Sequence, residues 1–162
     1  MDKFERHFTY QPLPAKPGPE VGHPGMTLAF VGNPNCGKTS LFNAYTGAKL
    51  KTANWPGVTV EGKEGATTFE GVEIRLIDLP GTYSLTSYTM EEEVARSYVL
   101  SGDADAIIDV VDASSLERSL YLTLQLIDLG KPVVVALNMM DVVRKRGMEI
   151  DVHRLAETLG CP

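Results

Sequence analysis

The sequence predicts an α/β domain in which a mostly parallel sheet carries helices on both faces. Three observations predict it. Short apolar runs at residues 26–31, 105–111 and 132–137 have the length and composition of strands buried on both faces. Between them lie stretches of helical periodicity with their own start and stop signals. Two of the runs lead directly into polar clusters, Gly32-Asn33-Pro34-Asn35 and Asn138-Met139-Met140-Asp141, at the strand ends where such sheets place ligands.

Residues 1–25 come first and hold half of the ten prolines, a composition that neither pairs in a sheet nor continues a helix. They read as an extended or disordered leader, with residues 26–162 as one domain. His7 and His23 lie in the leader without partners at ligand spacing. After the first strand, Gly32-Asn33-Pro34-Asn35-Cys36-Gly37-Lys38-Thr39 fits the phosphate-binding pattern G-x-x-x-x-G-K-[ST]. Leu41, Phe42 and Tyr45 continue it at helical spacing as far as Gly47. Backbone N–H groups and the positive helix end then converge on one anion. Lys38 would reach the β- and γ-phosphates, and the Thr39 hydroxyl would hold Mg²⁺.

Residues 49–57 show no clear periodicity, and Asn54-Trp55-Pro56-Gly57-Val58-Thr59 reads as a loop that turns at Pro56-Gly57. Thr59, at the start of an expected strand over 58–69, is the candidate for a second hydroxyl on Mg²⁺. A second strand over 72–77 pairs with it across Glu70-Gly71, a hairpin turn. That strand runs into Asp78-Leu79-Pro80-Gly81, where Asp78 would bind Mg²⁺ through water and the Gly81 N–H would sense a γ-phosphate. Residue 82 is where several signalling GTPases carry a water-orienting glutamine, but here it is Thr82. Small and polar residues over 82–88 predict a mobile segment.

Thr89-Met90-Glu91-Glu92 is a capping-box pattern opening a helix to Leu100. Ser114-Ser115-Leu116-Glu117 repeats it, and Leu116, Leu120, Leu124 and Ile127 form the expected core stripe of the next helix. Asn138-x-x-Asp141 selects the base. The Asp141 carboxylate accepts from guanine N1–H and the 2-amino group, whereas adenine presents a lone pair at N1. Asn138 would contact guanine N7 and tie the base loop to the phosphate loop. Asp151 opens a last helix that ends at Gly160.

The net charge of −6 argues against a dominant nucleic-acid-binding face. No apolar run approaches the roughly 20 residues of a membrane span. Cys36 and Cys161 make neither a metal nor a disulfide pattern.

With these motifs in order, the chain resembles translation-factor-class GTPases with a Ras-like P-loop fold. Four segments, GNPNCGKTSLFNAYTG, NWPGVTVEGKEG, DLPGTYSL and VVDASSLERSLYLTLQLIDLGKPVVVALNMMD, resemble the G domain of the bacterial ferrous-iron transporter B family. The likeness covers residues 26–162. It implies GTP and GDP as ligands, contacted by Gly32, Asn33, Pro34, Asn35, Cys36, Gly37, Lys38, Thr39 and Ser40 with Asn138, Met139 and Asp141. It also implies a K⁺ held by Asn35 and by carbonyls around Asn54-Trp55, which would stimulate an otherwise slow hydrolysis carried by Lys38, Asn35, Thr59 and Gly81.

The partners implied are a helical spacer and a membrane-embedded Fe²⁺ pathway in the same polypeptide, with this domain at the cytoplasmic face of the inner membrane. The family pattern continues past Pro162 with a strand and a Ser-Ala type loop over the base. The expectation is therefore a G domain lacking its last strand and helix, with an open sheet edge and reduced guanine affinity. The alternatives left open are an RNA-directed GTPase and a nucleotide-sensing module with negligible turnover.

Overall fold

The computed structural model describes residues 25–47, 50–56, 58–86 and 88–162. All of the leader except Gly25 lies outside the described residues, as does Gly57 of the expected turn. Six strands form one sheet in the order β2-β3-β4-β1-β5-β6. They are β1 (Met26–Gly32), β2 (Leu50–Asn54), β3 (Glu61–Phe69), β4 (Val72–Asp78), β5 (Ala106–Asp112) and β6 (Val133–Asn138). β4, β1, β5 and β6 are parallel, whereas β2 and β3 join antiparallel at one side. The helices are α1 (Lys38–Thr46), α2 (Met90–Ser101), α3 (Leu116–Asp128), α4 (Met140–Lys145) and α5 (Val152–Leu159).

Alternation along β1 divides the core in two. Ala29 and Val31 face the larger cluster with Val94, Tyr98 and Val99 of α2 and Leu122 and Leu126 of α3. Phe30 faces the smaller one, edge-on to Phe42 of α1 at 5.5 Å. Helices thus cover both faces, and the parallel strands direct their C-terminal ends to one edge. The register sets Asp78 beside Phe30, and Asp112 beside Asn138, along that edge.

Glu70 and Gly71 both have positive φ, 49° and 80°, as the two-residue hairpin turn between β3 and β4 requires. Thr89 caps α2 by accepting from Glu92 N at 3.2 Å, and Asp151 caps α5 by accepting from Arg154 N at 2.9 Å. At Val135 the backbone N–H donates to Pro162 O at 2.8 Å, so this point of the β6 edge is paired.

Four expectations need correction. Residues 50–54, where the sequence shows no clear periodicity, form strand β2; its pairing to β3 supplies the order that its polar sequence does not advertise. β3 starts at Glu61, which leaves Val58 and Thr59 in a loop. The 114–115 serines do not cap α3. Ser115 stands at the N-cap of α3 without a side-chain cap hydrogen bond, and Asp112 instead caps the short 3-10 turn Ala113–Ser115 ahead of it, accepting from Ser114 N at 2.9 Å and from Ser114 Oγ at 2.7 Å. Finally, the buried stripe of α3 is Ser119, Leu122, Thr123 and Leu126, while Leu124 is 50% exposed. Leucines occur all round this helix, so hydrophobicity alone could not choose the face. Two hydroxyls face inward because each finds a partner there, as buried polar groups must.

Candidate nucleotide site

The C-terminal end of β1 continues as a compact loop that folds over the N-terminus of α1. Asn35 adopts φ 65° and Gly37 φ 86°, so the loop passes twice through the left-handed region. Asn tolerates that region better than most residues, and Gly adopts it without strain. Gly37 is also the N-cap of α1 and offers no side-chain cap, which leaves the first-turn N–H groups directed outward. Thr39, Ser40 and Asn35 are exposed on this surface, whereas Cys36 is buried. Burial raises the Cys36 thiol above its ordinary value, and the weaker opposing pull of the Lys38 backbone and charge does not reverse it. The thiol stays protonated.

Lys38 and Asp78 form a buried ion pair, with side chains 8% and 7% exposed. Asp78 ends β4 and Lys38 begins α1, so the pair brackets the anion-facing helix end between one positive and one negative group. Separating two charges at this depth is costly unless each finds a new partner.

Three further contacts draw the loops together. Asn138 Nδ2 donates to Cys36 O at 2.9 Å across 102 residues of sequence. A side chain at Gly37 would collide with that Asn138 amide. Met139 follows at φ 60°, and this left-handed residue turns the chain into α4 so that Asp141 lies in its first turn, exposed and 3.4 Å from Lys145. Gly81 packs against Pro34: a Cβ there would stand 3.3 Å from Pro34 Cα. Strained backbone at residues 35 and 139 and close approach at 37 and 81 therefore coincide at one edge of the sheet.

Thr59 is exposed and, among the described residues, no hydrogen bond or ion pair joins it to the phosphate loop. Its loop is anchored instead by Trp55, 3% exposed and edge-on to Tyr98 at 5.5 Å. Trp55 N donates to Val60 O at 2.8 Å, and Val58 N donates to Trp55 O at 3.2 Å. Both ends of residues 55–60 are thus held, with Thr59 outside.

Of the 82–88 segment expected to be mobile, Ser87 lies outside the described residues, and the residues on either side of it are hydrogen-bonded to the rest of the domain. Thr82 is 3% exposed, and its N–H donates to Gly32 O at 3.1 Å. Its hydroxyl donates to Ser84 O at 2.6 Å and accepts from Ser84 N. Leu85 enters the larger core and its N–H donates to Gln125 Oε1 at 2.8 Å. Glu92 collects Ser84 Oγ at 3.0 Å, Thr86 Oγ1 at 3.3 Å and Tyr88 N at 3.0 Å. Desolvation alone would push the Glu92 carboxyl up, but donors from Ser84, Tyr88, Thr89 and Thr86 together hold it below its ordinary value.

Sequence reasoning missed Ser119, Gln125 and the second role of Glu92. Ser119 Oγ accepts from Asn33 Nδ2 at 3.5 Å and so places α3 against the phosphate loop. A lone amide within the apolar helix around residue 125, and the hydroxyls preceding Glu92, were the available signals.

Strand order, the phosphate loop after the central strand, the acid at the end of β4 and the Asn-x-x-Asp turn after β6 define a P-loop domain of the GTPase type. A family model described as "Ferrous iron transport protein B" matches residues 26–162, and the chain belongs to that family. The Fe(2+) transporter FeoB of Salmonella typhimurium is 55% identical over 141 residues, and that of Escherichia coli K12 is 52% identical over the same length. Each match covers 85% of this chain but 18% of the relative, so the chain spans under a fifth of the length of the curated relatives it matches. Among solved structures, the G domain of T. maritima FeoB superposes with a TM-score of 0.79 at 50% identity, covering 85% of this chain and 84% of that one. A mutant S. thermophilus NFeoB bound to mGDP gives 0.82 at 51% identity, covering 86% and 53%.

Proposed function

We propose that this chain is the guanine-nucleotide-binding, slowly GTP-hydrolysing regulatory domain of a bacterial Fe²⁺ transporter. The observation that carries it is the Asn138 bridge to Cys36, which fixes the guanine-reading loop to the phosphate loop so that Asp141 and the α1 N-terminus address the two ends of one nucleotide. The phosphates would lie on the N–H groups of residues 33–40, with Lys38 turning from Asp78 to the β- and γ-phosphates. Met139 shapes the base loop through its left-handed turn.

The donor set fits Mg²⁺: an exposed Thr39 hydroxyl at the helix end, the Asp78 carboxylate acting through water, and the exposed Thr59 hydroxyl are all hard oxygen ligands. Asn35, exposed and directed by its positive φ, suits a monovalent cation such as K⁺. When bound, these ions would neutralise the charge that develops on the transferred phosphoryl group. The chain's own contribution is positioning. The Gly81 N–H, held against Pro34, would meet the γ-phosphate, while the Thr82 hydroxyl is spent on Ser84 and cannot orient water. Slow intrinsic turnover follows, and nucleotide state would act chiefly as a conformational signal.

The Fe²⁺ pathway, the helical spacer and the placement at the cytoplasmic face of the inner membrane belong to the remainder of the polypeptide, as the family implies. Among the described residues no helix is long and apolar enough to cross a membrane, and no cluster of His, Cys, Asp or Glu is arranged to hold a metal.

The test is competition of GTP, GDP and ATP against a fluorescent GDP, followed by turnover in K⁺ and in Na⁺. Guanine selectivity with faster hydrolysis in K⁺ is expected. Equal affinity for ATP would overturn the base assignment, and binding without turnover in either salt would leave a nucleotide-sensing module.

A further inference from the structure

We propose that Gln125 is a positioning residue for GTP hydrolysis, acting through the loop that begins at Gly81. The inference rests on the GTPase reading above but concerns a helix that no phosphate- or base-binding motif includes.

The span from Gly81 to Leu85 is fixed at two points. At its front, Thr82 N donates to Gly32 O, which ties it to β1. At its back, Leu85 N donates to the Gln125 amide oxygen at 2.8 Å, which ties it to α3. Between these anchors Thr82 and Ser84 bond only to one another or onward to Glu92 and Thr86. The Leu85 side chain, 6% exposed, packs in the core that also holds Leu122 and Leu126 of α3. Two turns of α3 before Gln125, the Arg118 guanidinium lies 4.0 Å from the centre of the Tyr83 ring, a cation–π contact on the same span.

The helix bearing these grips is itself fixed to the nucleotide edge. Ser119 meets Asn33 of the phosphate loop, and Thr123 Oγ1 donates to Asp109 of β5. α3 therefore holds the phosphate loop with one side chain and the Gly81–Leu85 span with two others. The Gln125 amide oxygen is the acceptor that Leu85 N meets, and removing it would leave that N–H beside a buried leucine in need of a new partner. A buried donor left unmade costs more than the bond contributes when present, so the span would swing about Thr82 to reach water. Gly81 would move with it, away from Pro34. The α- and β-phosphates, bound as proposed above, would lie on the other side of that hinge, and contacts to them would not change.

The experiment compares Gln125→Leu, which keeps volume but removes the acceptor, with Gln125→Glu, which keeps an acceptor oxygen. Single-turnover GTP hydrolysis, fluorescent-GDP affinity and thermal midpoint are measured for both and for the unaltered chain. Expected for Gln125→Leu is a roughly tenfold slower hydrolysis with GDP affinity within about twofold, and for Gln125→Glu a rate within about threefold of the unaltered chain. Unchanged hydrolysis in Gln125→Leu would overturn the proposal. So would parallel loss of rate, GDP affinity and thermal midpoint with no recovery in Gln125→Glu, since a merely structural side chain behaves that way. If the unaltered chain itself binds no guanine nucleotide, the GTPase reading falls and takes this inference with it; normal turnover there, with an indifferent Gln125→Leu, sinks this inference alone.

Discussion

The phosphate and base loops are shaped mainly by backbone geometry, whereas the loop residues that follow Gly81 are held mainly by side-chain acceptors, two of them on helices. In the first region the chain passes through left-handed residues at 35, 37 and 139, and the Asn138 amide joins its two loops at Cys36. In the second, the acceptors are Thr82, Glu92 and Gln125, each a single side chain whose loss frees a stretch of loop. A site that binds the unchanging part of a nucleotide is served by the first kind of construction. A segment that reports on a γ-phosphate needs contacts that can be exchanged one at a time, which is the second kind. α3 belongs to both, through Ser119 towards Asn33 and through Gln125 towards Leu85.

The largest expected effect lies in the first region. Asp141→Asn replaces an acceptor with a donor opposite the guanine 2-amino group, and GDP affinity should fall by up to about 10⁴-fold while xanthosine diphosphate gains. Competition titration against fluorescent GDP reads both. An unaltered preference for guanine would mean that the base is read elsewhere.

Next comes the buried pair. Lys38→Met leaves the Asp78 carboxylate desolvated and alone, and urea unfolding of the nucleotide-free chain should show a loss of about 3–5 kcal/mol. The double variant Lys38→Met with Asp78→Leu should recover most of it. Failure to recover would show that the lysine stabilises the loop independently of Asp78.

How much of this was readable in the sequence divides along the same line. The phosphate loop, the Asp78 turn and Asn138-x-x-Asp141 each need particular residues at short spacing, so they announce themselves locally. Even the tie from Asn138 to the phosphate loop could be anticipated. The parallel strands were legible because burial on both faces demands continuous apolar runs. β2 was not: its order comes from pairing with β3, and residues 50–54 carry no periodicity that a one-sided edge strand would need. The inward face of α3 was missed because Ser119 and Thr123 face the core through partners on other elements. The hydrogen bonding of residues 82–86 was likewise hidden, since polar composition marks a mobile loop and a hydrogen-bonded one alike.

Asp109 tests the footing that the two regions share. It is 1% exposed on β5, and burial pushes its carboxyl up to about 6, against the weaker opposing pull of Thr123. The native state therefore holds this proton at pH values where the unfolded chain, near 3.8, has released it. Stability contributed by the protonated form is intact below about pH 4 and declines as pH rises to 6, beyond which the cost is complete. Asp109→Asn, which keeps a polar side chain beside Thr123, should stabilise the chain by about 1–3 kcal/mol at pH 8 and by little at pH 4. Urea midpoints at the two pH values decide it. A gain independent of pH would locate the effect in packing.

The smallest expected effect belongs to Glu92, and its pH dependence runs in the opposite sense. Donors from the 84–89 stretch hold its carboxyl below the ordinary value of 4.5, so its contribution is present at neutral pH and is lost as pH falls through the lowered value. Because the group is partly open to solvent, Glu92→Gln should cost only about 1 kcal/mol at pH 7, with the gap to the unaltered chain closing on acidification. The same substitution leaves Leu85 on Gln125, since that bond lies ahead of the carboxylate along the loop. Hydrolysis should therefore suffer less from Glu92→Gln than from Gln125→Leu. Equal losses would mean that residues 82–92 move as one body, and the distinction between one rigid region and one assembled from separable contacts would have to be drawn at Leu79 instead.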